Sequence, residues 1–309
     1  MLMLMPENEV DESDCCGNGC TNCILDNKPK PSRRALLAGK RNVILSYARF
    51  KLLSNEAHNG DAQVRLLHFG YAVDEKENDD SILDIPPGHH VMLRAVLTGH
   101  AVPLLRPYSP YWTDFIAKEF KILVKLQPGG HMSEYLAALV PLQVLEFRGP
   151  IGNYVHDVSA AKCIYIIAQG VAIAPTLPLV AQVLDNEDDM SRIRHLICAQ
   201  NLQHVYFRDR LLEFNQYWNY RSCLYLAHQQ CRCGSADCNE LCEHLQKKLR
   251  YKETARRVRL DVDQLASHVV PGNEAVSIAI IAGHPTFQRT MREQAARAFG
   301  LPEENVFLL

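Results

Sequence analysis

Residues 163–184 read CIYIIAQGVAIAPTLPLVAQVL, a run without a single charge. Its length alone would suit a membrane span. Its centre does not, because Gln169-Gly170 interrupts it and Pro175 and Pro178 follow. A strand buried on both faces, a tight turn and an apolar-faced helix give the same uninterrupted run. We therefore read it as strand, turn and helix, the opening unit of a parallel α/β sheet.

The pattern continues downstream. IRHLICAQN reads as a strand, FRDRLLEFNQYW as a helix and SCLYLAH as a strand. A polar, helix-rich stretch follows, then the strand AVSIAIIAG and a final helix TFQRTMREQAARAFG. Strands alternating with helices predict a doubly wound parallel sheet over 156–309. Upstream the character differs. RNVILSYARF, DAQVRLLHFGYAV, VMLRAVL, EFKILVKLQ and PLQVLEFRG are short strand-like segments, with one helix, MSEYLAAL, among them. In the second of these, Val64, Leu66, His68, Gly70 and Ala72 fall on one face. Many short strands and one helix predict an antiparallel β-barrel over 41–155.

Composition sets outer bounds. The chain has 309 residues, 47% of them hydrophobic and 22% charged, which fits two globular domains. A net charge of −2 gives no electrostatic reason to expect nucleic acid or an anionic membrane as partner. Residues 1–40 stand apart: an acidic start (Glu7, Glu9, Asp11, Glu12, Asp14) precedes a basic stretch with Pro29 and Pro31, as in a tail and linker. There are eleven cysteines and no secretory leader, since MLMLM is too short for one. A reducing, cytoplasmic setting is the expectation, with thiols or metal ligands in place of disulfides.

Two motifs in the barrel half carry chemistry. In RPYSPYW (106–112), Arg106 offers a fork of donors for phosphate and Tyr108 a ring face for a planar heterocycle. Ser109 offers a hydroxyl for a ring nitrogen. Alone, the motif also reads as a turn with a surface arginine. In GGHMSEYL (129–136), Gly129-Gly130 permits close backbone approach, and Ser133 is placed to cap a helix whose N-terminus would hold phosphate. Alone, it also reads as an ordinary capped helix.

Together with ILVKL (122–126), LEFRGPIGNY (145–154) and IPPGHHVML (85–93), these motifs resemble the flavin-binding half of the NADH–cytochrome b5 reductase family. That family shows Arg-x-Tyr-Ser/Thr, a Lys on the next strand, Gly-Gly-Lys/Arg-Met-Ser and Arg-Gly-Pro-x-Gly, in that order. The resemblance covers about 41–309 and implies a ferredoxin-reductase-like fold, an FAD barrel followed by an NADH domain. It implies that Arg106 binds the FAD pyrophosphate with Pro107 beside it, that Tyr108 packs on the isoalloxazine, and that Ser109 bonds flavin N5 in the catalytic position. Lys125, Gly130, His131, Met132 and Ser133 would line the rest of the flavin site. His131 stands where the family has a permanent cation.

The nucleotide half departs further from the pattern. The family turn is Gly-Gly-Thr-Gly-Ile-Thr-Pro, and here it is Gln169-Gly170-Val171-Ala172-Ile173-Ala174-Pro175. Gly170 and Pro175 remain as nucleotide-binding candidates, with bulk added at Gln169 and Ala172. The family's Cys-Gly-Pro-Pro-x-Met becomes AGHPTF, leaving Gly283 and Pro285 with Ala282 in the cysteine's place. We expect His284 to be a surface or capping histidine. The segment CAQNLQH (198–204) has no arginine pair nearby to grip a 2′-phosphate, so NADH is preferred by resemblance.

Cysteines at 15, 16, 20 and 23 space as C-C-x3-C-x2-C. Cys15, Cys16, Cys20 and Cys23 would suit tetrahedral zinc, or form an unliganded interaction tail. They also resemble a short oxidoreductase-like motif that accompanies some reductase-like proteins. CRCGSADCNELC (231–242) reads as a flexible insertion. The functional expectation is an FAD-dependent NADH reductase passing single electrons to an acceptor such as cytochrome b5, without a transmembrane segment. The rivals are a non-catalytic flavoprotein scaffold with a degraded nicotinamide site, and a zinc-dependent adaptor.

Overall fold

The computed structural model describes residue 37 and residues 39–72, 80–97, 102–158, 163–230, 243–270 and 277–309. The chain divides into Met1–Arg41 and Asn42–Leu309, and the second unit holds the two large sheets. The cysteines at 15–23 and the segment 231–242 lie outside the described residues.

Alternation builds the first sheet. β1 (Ala48–His58) and β2 (Asp61–Tyr71) form a hairpin. Its turn is Asn59-Gly60, both at positive φ (50° and 80°), the pairing that matches the right-handed twist of the strands. β3 (His90–Ala95), β4 (Leu104–Tyr108), β5 (Pro110–Asp114), β6 (Glu119–Lys125) and β7 (Val144–Ile151) complete seven antiparallel strands in the order β4-β3-β7-β1-β2-β6-β5. The two edge strands, β4 and β5, are consecutive in the chain and separated by Ser109 alone. A sheet whose opposite edges meet at one residue must curl into a barrel, and Ser109 marks its seam. Pro107 and Pro110 flank it, tolerated because edge strands leave backbone positions unpaired.

The barrel core is aromatic. Phe50, Phe69, Phe120 and Phe147 are fully buried, with ring centroids 4.9 to 5.8 Å apart. Each such pair contributes about 0.5–1.5 kcal/mol beyond area burial. On β2 this core takes Leu67 and Phe69, while Val64 and Leu66 face the other half of the molecule. The face carrying Val64, Leu66 and His68 is thus the outer one, and His68 pairs there with Glu119 at 2.8 Å. The first expected strand is broken in two, with Arg41–Asn42 pairing with Ser81–Ile82 in a small separate sheet. Val43 and Ile44 are buried in the turn before Ala48.

The second sheet is parallel. It contains β8 (Cys163–Gln169), β9 (Arg192–Ala199), β10 (Tyr220–Leu226), β11 (Thr254–Arg256), β12 (Ile278–Ala282) and β13 (Val306–Leu308). Their order is β11-β10-β9-β8-β12-β13. The helices are α2 (Thr176–Leu184), α3 (Arg208–Phe214), α4 (Glu243–Gln246), α5 (Val262–Ala266) and α6 (Pro285–Phe299), α1 (His131–Ala138) belonging to the barrel. Ile164, Ile166 and Ala168 of β8 pack with α2, and Tyr165 and Ile167 face α6, where Tyr165 stacks on Phe299 at 3.7 Å. Burial of both strand faces and of α2 leaves no position for a charge, which accounts for the run 163–184. Its prolines fit too. Pro175 precedes α2 and Pro178 lies in the first turn, where a backbone N–H has no intrahelical partner.

One buried polar chain ties the segment after β7 to the parallel sheet. The Tyr154 hydroxyl meets His156 Nδ1 at 3.1 Å, and His156 Nε2 pairs with Asp189 in the loop after α2. Both the imidazole and the carboxylate are 1% exposed. Asp189 Oδ1 also accepts the Ser191 N–H at 3.0 Å. Hydrogen bonds from Ser191 and His156 hold the carboxyl below its usual range against the opposing effect of burial. Tyr154 packs edge-on against Phe307 of β13, centroids 5.0 Å apart. No described helix is long and apolar enough to cross a membrane.

Candidate functional site

A cleft of about 1130 Å³ runs from the barrel seam to the carboxyl edge of the parallel sheet. Its barrel wall carries Arg106, Pro107, Tyr108 and Ser109, then Lys125, Met132 and Ser133. The register pairs Arg106 with Leu93 and Tyr108 with Val91, so both side chains project to one side of the sheet. Tyr108 packs against the barrel core, and burial pushes its hydroxyl up to about 12, against the pull of Arg106. It is therefore a neutral hydroxyl and an apolar ring face. The Arg106 guanidinium is exposed, and Nη1 donates to the Leu105 carbonyl at 2.8 Å. No carboxylate among the described residues pairs with it. Its remaining donors are available to a phosphate.

Ser133 departs from expectation. The helix begins at His131 with Gly130 as its cap and no capping side chain. The Ser133 hydroxyl lies inside the first turn, where it accepts the Gln127 N–H at 2.9 Å. Having accepted there, the hydroxyl keeps its own hydrogen for a ligand in the cleft.

The opposite wall is the β8 turn. Gly170 has φ 56°, a left-handed conformation that disfavours a side chain even though a Cβ there would meet no atom within 4 Å. Residues 170–173 form a 3-10 turn that packs against β6 and runs into α2. Gly283 is glycine for a different reason. A Cβ there would lie 2.6 Å from Phe287 Cδ1 and 3.1 Å from Gln169 Cβ. His284 caps α6, its Nδ1 accepting the Thr286 N–H at 3.3 Å. Beneath the turn, Thr176 Oγ1 lies 2.6 Å from the Ile173 carbonyl and 3.2 Å from His195 Nε2, while His195 Nδ1 meets the Tyr220 hydroxyl at 2.9 Å. Burial drives this imidazole down to about 3, so it is neutral.

Of the residues singled out in the sequence, the cleft gathers Arg106, Pro107, Tyr108, Ser109, Lys125, Met132, Ser133, Gly170, Pro175 and Gly283. Gly130, His131 and Pro285 adjoin it without lining it. Gln169 and Phe287 also line it, as do His204, His228 and Arg259 at the far end. Arg259 comes from the loop before α5, so the local segment 198–204 held no sign of it. Among the described residues no group of His, Cys, Asp or Glu is arranged to hold a metal, and Cys163, Cys198 and Cys223 are free thiols.

A curled antiparallel sheet and a doubly wound sheet sharing one cleft define a two-part, ferredoxin-reductase-like flavoprotein architecture. Residues 62–156 match the family model described as the oxidoreductase FAD-binding domain. The NADH-cytochrome b5 reductase-like protein of Mus musculus is 24% identical over 308 residues, 96% of this chain and 92% of its own. NADH-cytochrome b5 reductase 1 of Dictyostelium discoideum is 34% identical over 116 residues, 38% of this chain and 40% of its own. Among solved structures, the cytochrome b5 reductase domain of Ulva prolifera nitrate reductase superposes with TM-score 0.66 at 20% identity, covering 87% of this chain and all of that one. A ferredoxin NADP+ reductase from Neisseria gonorrhoeae with bound FAD and NADP gives 0.59 at 12%, covering 85% and 98%. Residues 62–156 thus carry an oxidoreductase FAD-binding domain, and over nearly its whole length the chain is similar to NADH-cytochrome b5 reductase-like flavoprotein oxidoreductases.

Proposed function

We propose that this chain is an FAD-dependent NADH oxidoreductase that delivers electrons singly to a one-electron acceptor protein such as cytochrome b5. The observation that carries this reading is the single cleft shared by the barrel seam and the carboxyl edge of β8 and β12. Doubly wound sheets bind nucleotides at the point where strand order reverses, here between β8 and β12. FAD supplies the acceptor for the hydride of NADH and the means of releasing its electrons one at a time.

The protein's part is to hold and orient. Arg106 binds the pyrophosphate, with Ser133 and the first turn of α1 adding donors beside Gly130 and His131. Tyr108 presents its ring to the isoalloxazine, Ser109 donates to N5 at the seam, and Lys125 and Met132 border the same space. Gly170 and Pro175 on one turn, and Gly283 and Pro285 on the other, shape the slot that admits the nicotinamide nucleotide.

The test is an anaerobic titration of the purified yellow protein with NADH while its flavin absorbance is followed. Bleaching at stoichiometric NADH, followed by reoxidation on adding cytochrome b5, is expected. A flavin that stays oxidised in excess NADH overturns the reading and points to a flavoprotein scaffold.

A further inference from the structure

Gln169 is the last residue of β8 and stands where β8 and β12 end side by side. Its side chain spans the two turns of the cleft. Oε1 accepts the backbone N–H of His284 at 3.4 Å, and Cβ lies against the position a Gly283 side chain would occupy. Which end of the amide is oxygen follows from this contact. The His284 backbone can only donate, so it faces the oxygen, and the –NH2 group is left facing the cleft that Gln169 lines. No other described group takes up those two hydrogens. The adjoining turn packs against β6, the strand that ends at Lys125 on the barrel wall. The amide therefore sits at the junction of the two halves, where the reactive ends of two dinucleotides must meet.

We propose that Gln169 binds the nicotinamide directly, its Nε2 donating a hydrogen bond to the carboxamide oxygen of the pyridine ring. This rests on the NADH reading above. The carboxamide is the one polar substituent on the ring. A neutral donor held from behind by His284 fixes which way the ring lies without placing a charge beside the departing hydride. Phe287, packed against Gly283, closes the apolar side of the slot. A side chain that adds bulk to a nucleotide-binding turn is on this account a ligand contact.

The experiment is stopped-flow reduction of the flavoprotein at pH 8, comparing wild type, Gln169→Ala and Gln169→Glu. Each is tested with NADH and with the reduced thionicotinamide analogue, whose sulfur is a weak acceptor. The Ala variant should lose roughly five- to tenfold in reduction rate over dissociation constant with NADH, and no more than about twofold with the analogue. The Glu variant keeps an oxygen for the His284 N–H but cannot donate, and should fall at least as far as Ala with NADH. If Glu restores wild-type rates, Gln169 only latches the two turns together and the proposal fails. It also fails if Ala changes nothing, or if the loss is equal with both dinucleotides. A wild type that NADH does not reduce overturns the NADH reading itself, and this proposal with it.

Discussion

On the proposed reading, a single guanidinium decides whether the barrel keeps FAD. Arg106 spends one donor on its neighbour's carbonyl and has no carboxylate partner among the described residues, so its charge is available to a phosphate. Charge-assisted hydrogen bonds of this kind contribute about 1.5–3 kcal/mol. Arg106→Ala should therefore weaken FAD binding by roughly 10- to 150-fold, measured as flavin released on dilution and dialysis. A variant that purifies with full flavin would move the pyrophosphate elsewhere. That Arg106 and Tyr108 share one side of a strand was legible in the sequence from their spacing. Ser133 was legible as a polar group near a helix start, but not its task. Only the fold shows that its hydroxyl reaches back six residues to Gln127.

The elements beneath the turn carry a pH signature. His195 lies between Thr176 and Tyr220 at zero exposure, its pKa lowered from 6.5 to about 3 by burial. His268, bonded to Tyr225 at 2.6 Å, is lowered to about 4 by burial and by Arg256 and Arg194. With the folded pKa below the unfolded one, the unfolded chain takes up the proton first. Stability is then complete above about pH 6.5 and is lost as pH falls from there toward 3. Each such group adds a slope of about 1.4 kcal/mol per pH unit within its window. Urea unfolding between pH 7 and 4 should show this slope. His195→Gln should be less stable at pH 7 but shallower by close to one proton, and equal slopes would mean that His195 is not held neutral. Nothing local shows which groups meet His195. It shares a strand face with Ile193 and Ile197, and only the packing of α2 and β10 around β9 gives it its partners Thr176 and Tyr220.

At the scale of the whole molecule, the Tyr154–His156–Asp189 chain ties the polypeptide to the parallel sheet where it passes from one sheet to the other. Removing one partner of a buried ion pair leaves the other uncompensated, so His156→Ala should cost about 3 kcal/mol in chemical unfolding. A loss under about 0.5 kcal/mol, the scale of a surface substitution, would show that the pair is dispensable. The division into an antiparallel half and a parallel half was legible from the change in periodicity near residue 155. This linkage was not, because Asp189 stands 33 positions from His156 in the sequence. The seam at Ser109 has a consequence of its own. Opposite edges of the barrel are joined there by one residue, so the connection has no slack. Elsewhere on a surface a loop absorbs an inserted or deleted residue at little cost. Here a change of one in chain length would shift β5 by one position against β6 and turn its side chains to the other face. Closure of the barrel thus fixes the count of residues at this point, whatever their side chains do.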